Sequence, residues 1–263
     1  MRIGLGLLAL WLLTAVAMLG GWIWQRRHRN AGVVDVIWSA GLGAAALLLA
    51  AVGGGAPAPR VLLAILAGAW STRLAVHLGS RVRREGEDGR YRYLRLRWGD
   101  DQRRWLGFFQ LQALLVPLFA LPFAAVAADP RSSPAWLAAG CALWAFGLAG
   151  ETCADAQLAR FRADPANRGR TCREGLWRYC RHPNYFFEWL HWFTYVALAA
   201  GSPLWALAWV GPLVMGLFLR FLSGVPWTEA QALRSRGEDY RDYQRRTPMF
   251  FPWFPRGSRL TRS

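Results

Sequence analysis

Carboxylates set inside apolar runs offer this chain most of its chemistry, because an ionisable group in a membrane-crossing stretch is costly and marks a functional site by default. In Glu151-Thr-Cys-Ala-Asp155-Ala-Gln-Leu-Ala-Arg-Phe-Arg162, the residues Glu151, Asp155 and Arg162 recur at helical spacing and share one face. An internal ion-pair ladder or a stripe lining a ligand would both use that pattern. Further on, Arg178-Tyr179-Cys180-Arg181-His182-Pro183-Asn184 opens a second helix. Pro183 suits the first helical turn, where its missing N–H is no loss. The free N–H groups and positive end of that helix, beside Arg178 and Arg181, make a ready anion site. From Asn184, the residues Glu188, His191 and Tyr195 line one face, a polar seam that should look into protein and not into lipid. Asp35 opens the run Val33-Val34-Asp35-Val36-Ile37-Trp38 either as an interfacial helix cap or as a membrane-embedded acid. Arg73 and His77 lie one turn apart in another apolar run, where snorkelling toward a membrane face is the simplest use.

The elements that carry these residues are long and apolar. The 263 residues are 54% hydrophobic and only 18% charged, against about a quarter charged in a soluble domain. The charge is packed into short stretches, which excludes a disordered chain, a disulfide-framed secreted module and an ordinary soluble enzyme. A polytopic, all-α membrane protein remains. Helical spans of about 20 residues fit at roughly 3–24, 33–53, 60–79, 106–127, 134–158, 184–200 and 203–222. The connections alternate between Arg-rich (25–32, 80–105, 159–183 and the tail) and nearly uncharged (53–59, 128–133, 201–203). That alternation predicts about seven spans, with the N-terminus outside and the C-terminus in the cytoplasm. Ala15-Val16-Ala17 would suit a signal-peptide cleavage site, but the apolar run continues to Trp24 and the stronger positive flank follows it, so a retained anchor is expected. We expect a single membrane domain over 1–263, with N-terminal helices and a basic loop over 1–105 and a cofactor-binding half with a cytoplasmic tail over 106–263.

Every one of the 32 basic residues is Arg, so a lysine Schiff base and a P-loop lysine are excluded. Arginine stays charged and grips phosphate or carboxylate in a fork, although a GC-rich genome would also enrich it. A pI near 11.2 can indicate nucleic acid, but arginine clusters set between apolar spans are better explained by topology, and no nucleic-acid partner is expected. Cys141, Cys153, Cys172 and Cys180 have no metal-ligand spacing. Nor do His28, His77, His182 and His191 form a His-x-x-x-His pair, so free thiols and no metal are expected. Gly-x-Gly-x-x-Ala strings at Gly4 and Gly41 follow no strand and suit close helix packing instead.

The run Gly175-Leu-Trp-Arg-Tyr-Cys-Arg-His-Pro-Asn-Tyr-Phe-Phe-Glu188 resembles the steroid 5-alpha-reductase-like membrane proteins, in particular their bacterial branch long labelled a domain of unknown function. Asp155 to Arg162, Pro165-Ala-Asn167-Arg-Gly169, Ser223-Gly-Val-Pro226 and the tail from Tyr240 to Pro255 carry the same likeness. Asp35-Val-Ile-Trp38 and the stretch Arg81 to Arg97, with Glu87-Asp88 and Arg90-Tyr91, extend it upstream. The resemblance implies a seven-helix bundle that binds NADPH from the cytoplasmic side and reduces a carbon–carbon double bond conjugated to a ketone. By position, Asp155, Arg162, Arg170, Asn184 and Tyr243 match its cofactor-binding pattern, Glu188 matches its Asn-x-x-x-Glu, and Arg81 and Arg84 fall in its basic loop. Cys180 stands where this branch usually has Ser, and Phe187 where it has Gly, adding bulk beside Glu188. The family's ketone-polarising pair, an acid on the second helix and a Tyr on the third, has Asp35 as its candidate acid. The Tyr position falls near Trp70, which cannot donate a proton.

The expected site is therefore Asp35, Glu188 and Tyr185 for catalysis, with Asp155, Arg162, Asn167, Arg170, Arg178, Arg181, Asn184, Tyr243 and Arg81 on NADPH. The expected partners are a hydrophobic substrate, a steroid or other lipid enone, and membrane lipids, in a bacterial inner membrane. Arg181-His182-Pro183-Asn184-Tyr185 is also similar to the Arg-His-Pro-x-Tyr of isoprenylcysteine and phospholipid methyltransferases, so an S-adenosylmethionine-dependent enzyme is the alternative. A non-catalytic lipid-binding protein of the same fold is a further one.

Overall fold

The computed structural model describes residues 2–256, whose regular structure is all helical, with no strand among them. In chain order the helices are α1 (Arg2–His28), α2 (Val33–Val52), α3 (Pro57–Arg84), α4 (Gly89–Trp98), α5 (Gln102–Phe119), α6 (Leu121–Ala127) and α7 (Pro134–Ala163). They are followed by α8 (Pro183–His191), α9 (Phe193–Leu198), α10 (Trp205–Ala208), α11 (Val210–Leu217), α12 (Val225–Arg236) and α13 (Glu238–Arg246). Six continuous stretches are long and apolar enough to cross a membrane: α1, α2, α3, the pair α5–α6, α7, and Trp205–Arg236. The seventh run expected from sequence, 184–200, is also helical, but it is made in two pieces, α8 and α9, parted at Trp192.

Breaks fall where the chemistry requires them. Pro117 removes one backbone donor from the last turn of α5, and Pro122 starts α6 at a position that needs no donor. α4 is bounded by Asp88, whose side chain accepts from the Arg90 N–H, and by Gly99 in the left-handed conformation (φ 59°). A π-helical turn over Phe218–Leu222 joins α11 toward α12.

The chain divides into two compact units, Met1–Cys141 with Tyr195–Gly211, and Ala142–Thr194 with Pro212–Ser263. In the first, Met18, Val34, Tyr91, Trp105, Phe109 and Ala113 form a buried cluster. Small residues allow the helices this close: a Cβ on Gly21 would come within 2.4 Å of Ile37 and 3.1 Å of Phe109. Between apolar helices in lipid, such packing supplies the attraction that removal from water supplies in a soluble core.

The poorly charged connections gather at one end of this unit. Gly55 N–H donates to Ala127 O (2.9 Å), Ala56 N–H to Asp129 O (2.7 Å) and Gly201 N–H to the buried Asp129 carboxylate (3.1 Å). The Arg-rich connections 25–32 and 80–105 are likewise joined to each other. Arg95 pairs with Glu87 at 2.7 Å and reaches Gln25 at 3.2 Å, Glu87 accepts from the Ala31 N–H, and Arg29 pairs with Asp100.

Candidate functional site

In the first unit, α4 folds back on the start of α2. Arg95 and Glu87, only 12% and 8% exposed, hold α4 in that place. The Tyr91 hydroxyl then donates to Asp35 Oδ1 at 2.7 Å, and Arg90 Nη2 lies 3.3 Å from Asp35 Oδ2. Tyr91 is buried, and burial first, then the neighbouring carboxylate, pushes its pKa well above the usual phenol range. Arg90 is raised as well: burial opposes its charge, but Asp35, Tyr91 and Asp88 outweigh it. Asp35 thus opens the second span as expected, but it holds a phenol that the sequence reading did not assign. Arg90-Tyr91 stood in the motif; what the sequence lacked was the turn that returns it to Asp35 across 56 residues.

Asp35, Arg81, Asp88, Arg90, Asn30 and Leu78 line one small open cleft. This brings Arg81 and Asp35 together, although one was expected on the cofactor and the other at the substrate. Arg81 faces Glu85 (3.3 Å) and Asp88 (3.6 Å). With Asp35, Glu85 and Asp88 against Arg81 and Arg90, the cleft carries three acids to two bases. Such a balance suits a carbonyl or hydroxyl and not a pyrophosphate.

In the second unit, α8 lies against α7 at two glycines. A Cβ on Gly147 would meet the His191 backbone at 3.2 Å, and one on Gly150 would meet the Phe187 ring at 2.3 Å. Phe187, buried and edge-on to Phe146, fills the hollow that Gly150 leaves. Its bulk beside Glu188 is therefore accommodated by α7. The same approach brings Asn184 to Asp155, with Asn184 Nδ2 donating to Asp155 Oδ1 at 3.1 Å. Glu188 accepts from Trp192 Nε1 (3.2 Å), and the Tyr185 hydroxyl meets Thr228 Oγ1 (3.0 Å) with its ring stacked on His182. His191 and Tyr195, the rest of the seam, are buried.

The loop from α7 to α8 is fixed on both sides. Asn167 Nδ2 caps the end of α7 through Phe161 O (2.9 Å), and Gln157 and the Ala154 carbonyl hold Leu176 N and Trp177 Nε1. From α13, the Tyr243 hydroxyl donates to Trp177 O and to Cys180 O. Burial holds the Tyr243 phenol above its usual pKa and pushes the Cys180 thiol up to about 12. Arg173 pairs with Asp239 and Asp242 at 2.9 and 2.8 Å.

The expected cofactor residues therefore divide by what they already hold. Arg181 donates to Glu229 (2.7 Å) and to the carbonyls of Gln244 and Thr247 (both 2.9 Å), so its fork is occupied. Tyr243 and Asn167 are engaged with backbone. Arg162, Arg170 and Arg178 are exposed, and no carboxylate among the described residues pairs with them. Glu229 was missed from sequence: it also meets His182 Nε2 (3.2 Å), Tyr240 (3.4 Å) and Gln244 (2.8 Å). A lone carboxylate within Trp205–Arg236 was the signal for it, hidden when that span was ended at 222.

Among the described residues, an all-helical fold with six membrane-length apolar helices is that of a polytopic membrane protein. The chain belongs to the family described as "Protein of unknown function (DUF1295)", which it matches over residues 21–247. No curated protein and no solved structure matches it.

Proposed function

We propose that the protein is an NADPH-dependent reductase of the bacterial inner membrane that acts on a conjugated carbon–carbon double bond in a steroid-like or other hydrophobic substrate, with its nucleotide site facing the cytoplasm. One observation carries the reading: Arg162, Arg170 and Arg178 stand exposed and unpaired around the α7–α8 loop, while their neighbours Arg173 and Arg181 are occupied by carboxylates. A pyrophosphate and a 2′-phosphate need such fixed, uncommitted forks. S-adenosylmethionine, which carries no phosphate, does not. The Arg181 and His182 of the motif shared with methyltransferases both meet Glu229, which supports a structural use of that motif in this chain.

Asn184, held by Asp155 at the start of α8, would orient the bound nucleotide, and the three arginines would bind its phosphates. NADPH would supply the hydride. In the first unit, Tyr91 Oη keeps its proton through the ordinary pH range and commits it to Asp35 Oδ1; turning that one proton from the carboxylate to a ketone oxygen would let it polarise the ketone. Tyr185, also expected at the catalytic site, has its hydroxyl on Thr228. The arginine-dense connections would face the cytoplasm.

The test is a thermal-shift titration of the purified protein with NADPH and with S-adenosylmethionine. NADPH should stabilise it, and Arg162→Ala with Arg170→Ala should remove that shift without changing the ligand-free melting point. Stabilisation by S-adenosylmethionine alone would overturn the proposal.

A further inference from the structure

Most large apolar side chains left exposed lie on the long apolar helices, where lipid would cover them. One group does not. Phe251, Trp253 and Phe254 are 62%, 72% and 72% exposed, and they follow the strongly charged α13. They are not a loose tail. Arg181 N–H donates to Pro248 O (2.9 Å), Cys180 Sγ to Phe250 O (3.0 Å), Trp253 N–H to Tyr179 O (3.0 Å) and Arg256 N–H to Arg246 O (2.9 Å). Phe250 is buried 5.9 Å from Trp189 of α8, and Phe251 lies 5.7 Å from the same ring, so the segment is seated beside a helix of the apolar run 184–200. Tyr179 joins the group edge-on to Phe254 at 5.9 Å. A pinned extended segment thus holds three large rings outward at no further ordering cost.

The charge around them has one sign. From Thr247 to Arg256 there is no acidic residue. No carboxylate among the described residues pairs with Arg256. Exposed Trp, Phe and Tyr rings flanked by arginine are the side-chain chemistry of a membrane–water boundary, where rings settle at headgroup level and arginine meets lipid phosphate.

We propose that Tyr179 and Phe251–Arg256 form an interfacial contact with an anionic phospholipid surface, clamping the α7–α8 loop and α13 against the leaflet. This goes beyond the reductase reading and does not depend on it.

The test places a nitroxide on Phe254→Cys, with Cys141 and Cys153 changed to Ser, in the full chain in nanodiscs. Cys172 and Cys180 are buried and remain unlabelled. In nanodiscs containing phosphatidylglycerol, the label should be reached by oxygen and shielded from a water-soluble nickel chelate, unlike a label on the exposed Ser235→Cys control. Each unpaired arginine near the surface favours the anionic leaflet by about fivefold. High salt or pure phosphatidylcholine should therefore raise nickel access by about that factor or more. Phe251→Ser with Trp253→Ser should abolish the shielding. Nickel access equal to the Ser235 control in anionic nanodiscs overturns the proposal, as does shielding unchanged between anionic and neutral lipid. Spin–spin broadening that disappears on dilution with unlabelled chain would overturn it too, because a second copy would then cover the rings.

Discussion

Arg181 is the residue on which the structure and the sequence pattern differ most usefully, and one double-mutant cycle decides its role. The guanidinium is 11% exposed and its Glu229 partner 15%, so both charges are largely desolvated. Arg181→Met removes the 2.7 Å contact and two bonds to the Gln244 and Thr247 carbonyls, leaving Glu229 in place without its strongest cation. Stranding one member of a buried ion pair costs about 3–5 kcal/mol. Spread over a chain of this size, that lowers the melting temperature by roughly 6–20 °C. Glu229→Met alone strands the arginine at a similar cost. Arg181→Met with Glu229→Met leaves neither charge unpaired, and replacing both members by apolar groups of similar volume is near neutral. The double variant should therefore melt well above the sum of the two single losses, a coupling on the order of 3 kcal/mol or more, even though the Gln244 and Thr247 carbonyls lose their donor. Thermal unfolding in detergent, followed by far-ultraviolet circular dichroism, measures all four corners, and an NADPH titration runs in parallel. If Arg181 is scaffold, the double variant regains both stability and nucleotide affinity. Additive losses would refute the reasoning about the pair. Recovered stability with lost NADPH binding would refute the assignment of Arg181 to the scaffold.

Three shorter predictions follow from the same geometry. Tyr91→Phe removes the hydroxyl held at 2.7 Å by Asp35 and should lower enone turnover about 10²–10³-fold while nucleotide affinity stays constant; full activity would exclude Tyr91 as the donor. Gly150→Ala sets a methyl group 2.3 Å from the Phe187 ring and should destabilise the protein by about 1–3 kcal/mol, a cost that should largely vanish when the same change is made in a Phe187→Ala background, as melting curves of the four chains would show. His182 is buried, and burial holds its pKa below 6.5 despite the Glu229 carboxylate, so the unfolded chain binds a proton that the folded chain resists. Stability from this group is complete above about pH 6.5 and falls as the pH drops below that value, and His182→Gln should flatten the melting temperature between about pH 5 and 7.

The helices were readable because lipid imposes a simple constraint: a span must be long, apolar and free of unsatisfied backbone, and α1, α2, α3, α5–α6 and α7 all obey it. The charge alternation carried as much, since the bare loops around Gly55, Asp129 and Gly201 are joined to one another. Residue types at helical spacing also singled out Asp155 and Asn184, which α7 and α8 bring together on faces that the 3.6-residue period fixes. What the pattern could not show was which polar groups were already engaged. Arg162 and Arg181 look alike in sequence, yet one lies open and the other is closed on Glu229, 48 residues away. Tyr91 and Tyr185 look alike too, and their partners, Asp35 and Thr228, lie 56 and 43 residues from them. A motif marks where polar groups gather, whereas function depends on the few that folding leaves unpaired. Around the α7–α8 loop, Arg162, Arg170 and Arg178 are among the arginines left without a carboxylate, and the occupied neighbours Arg173, Arg181 and Tyr243 hold the loop that carries them.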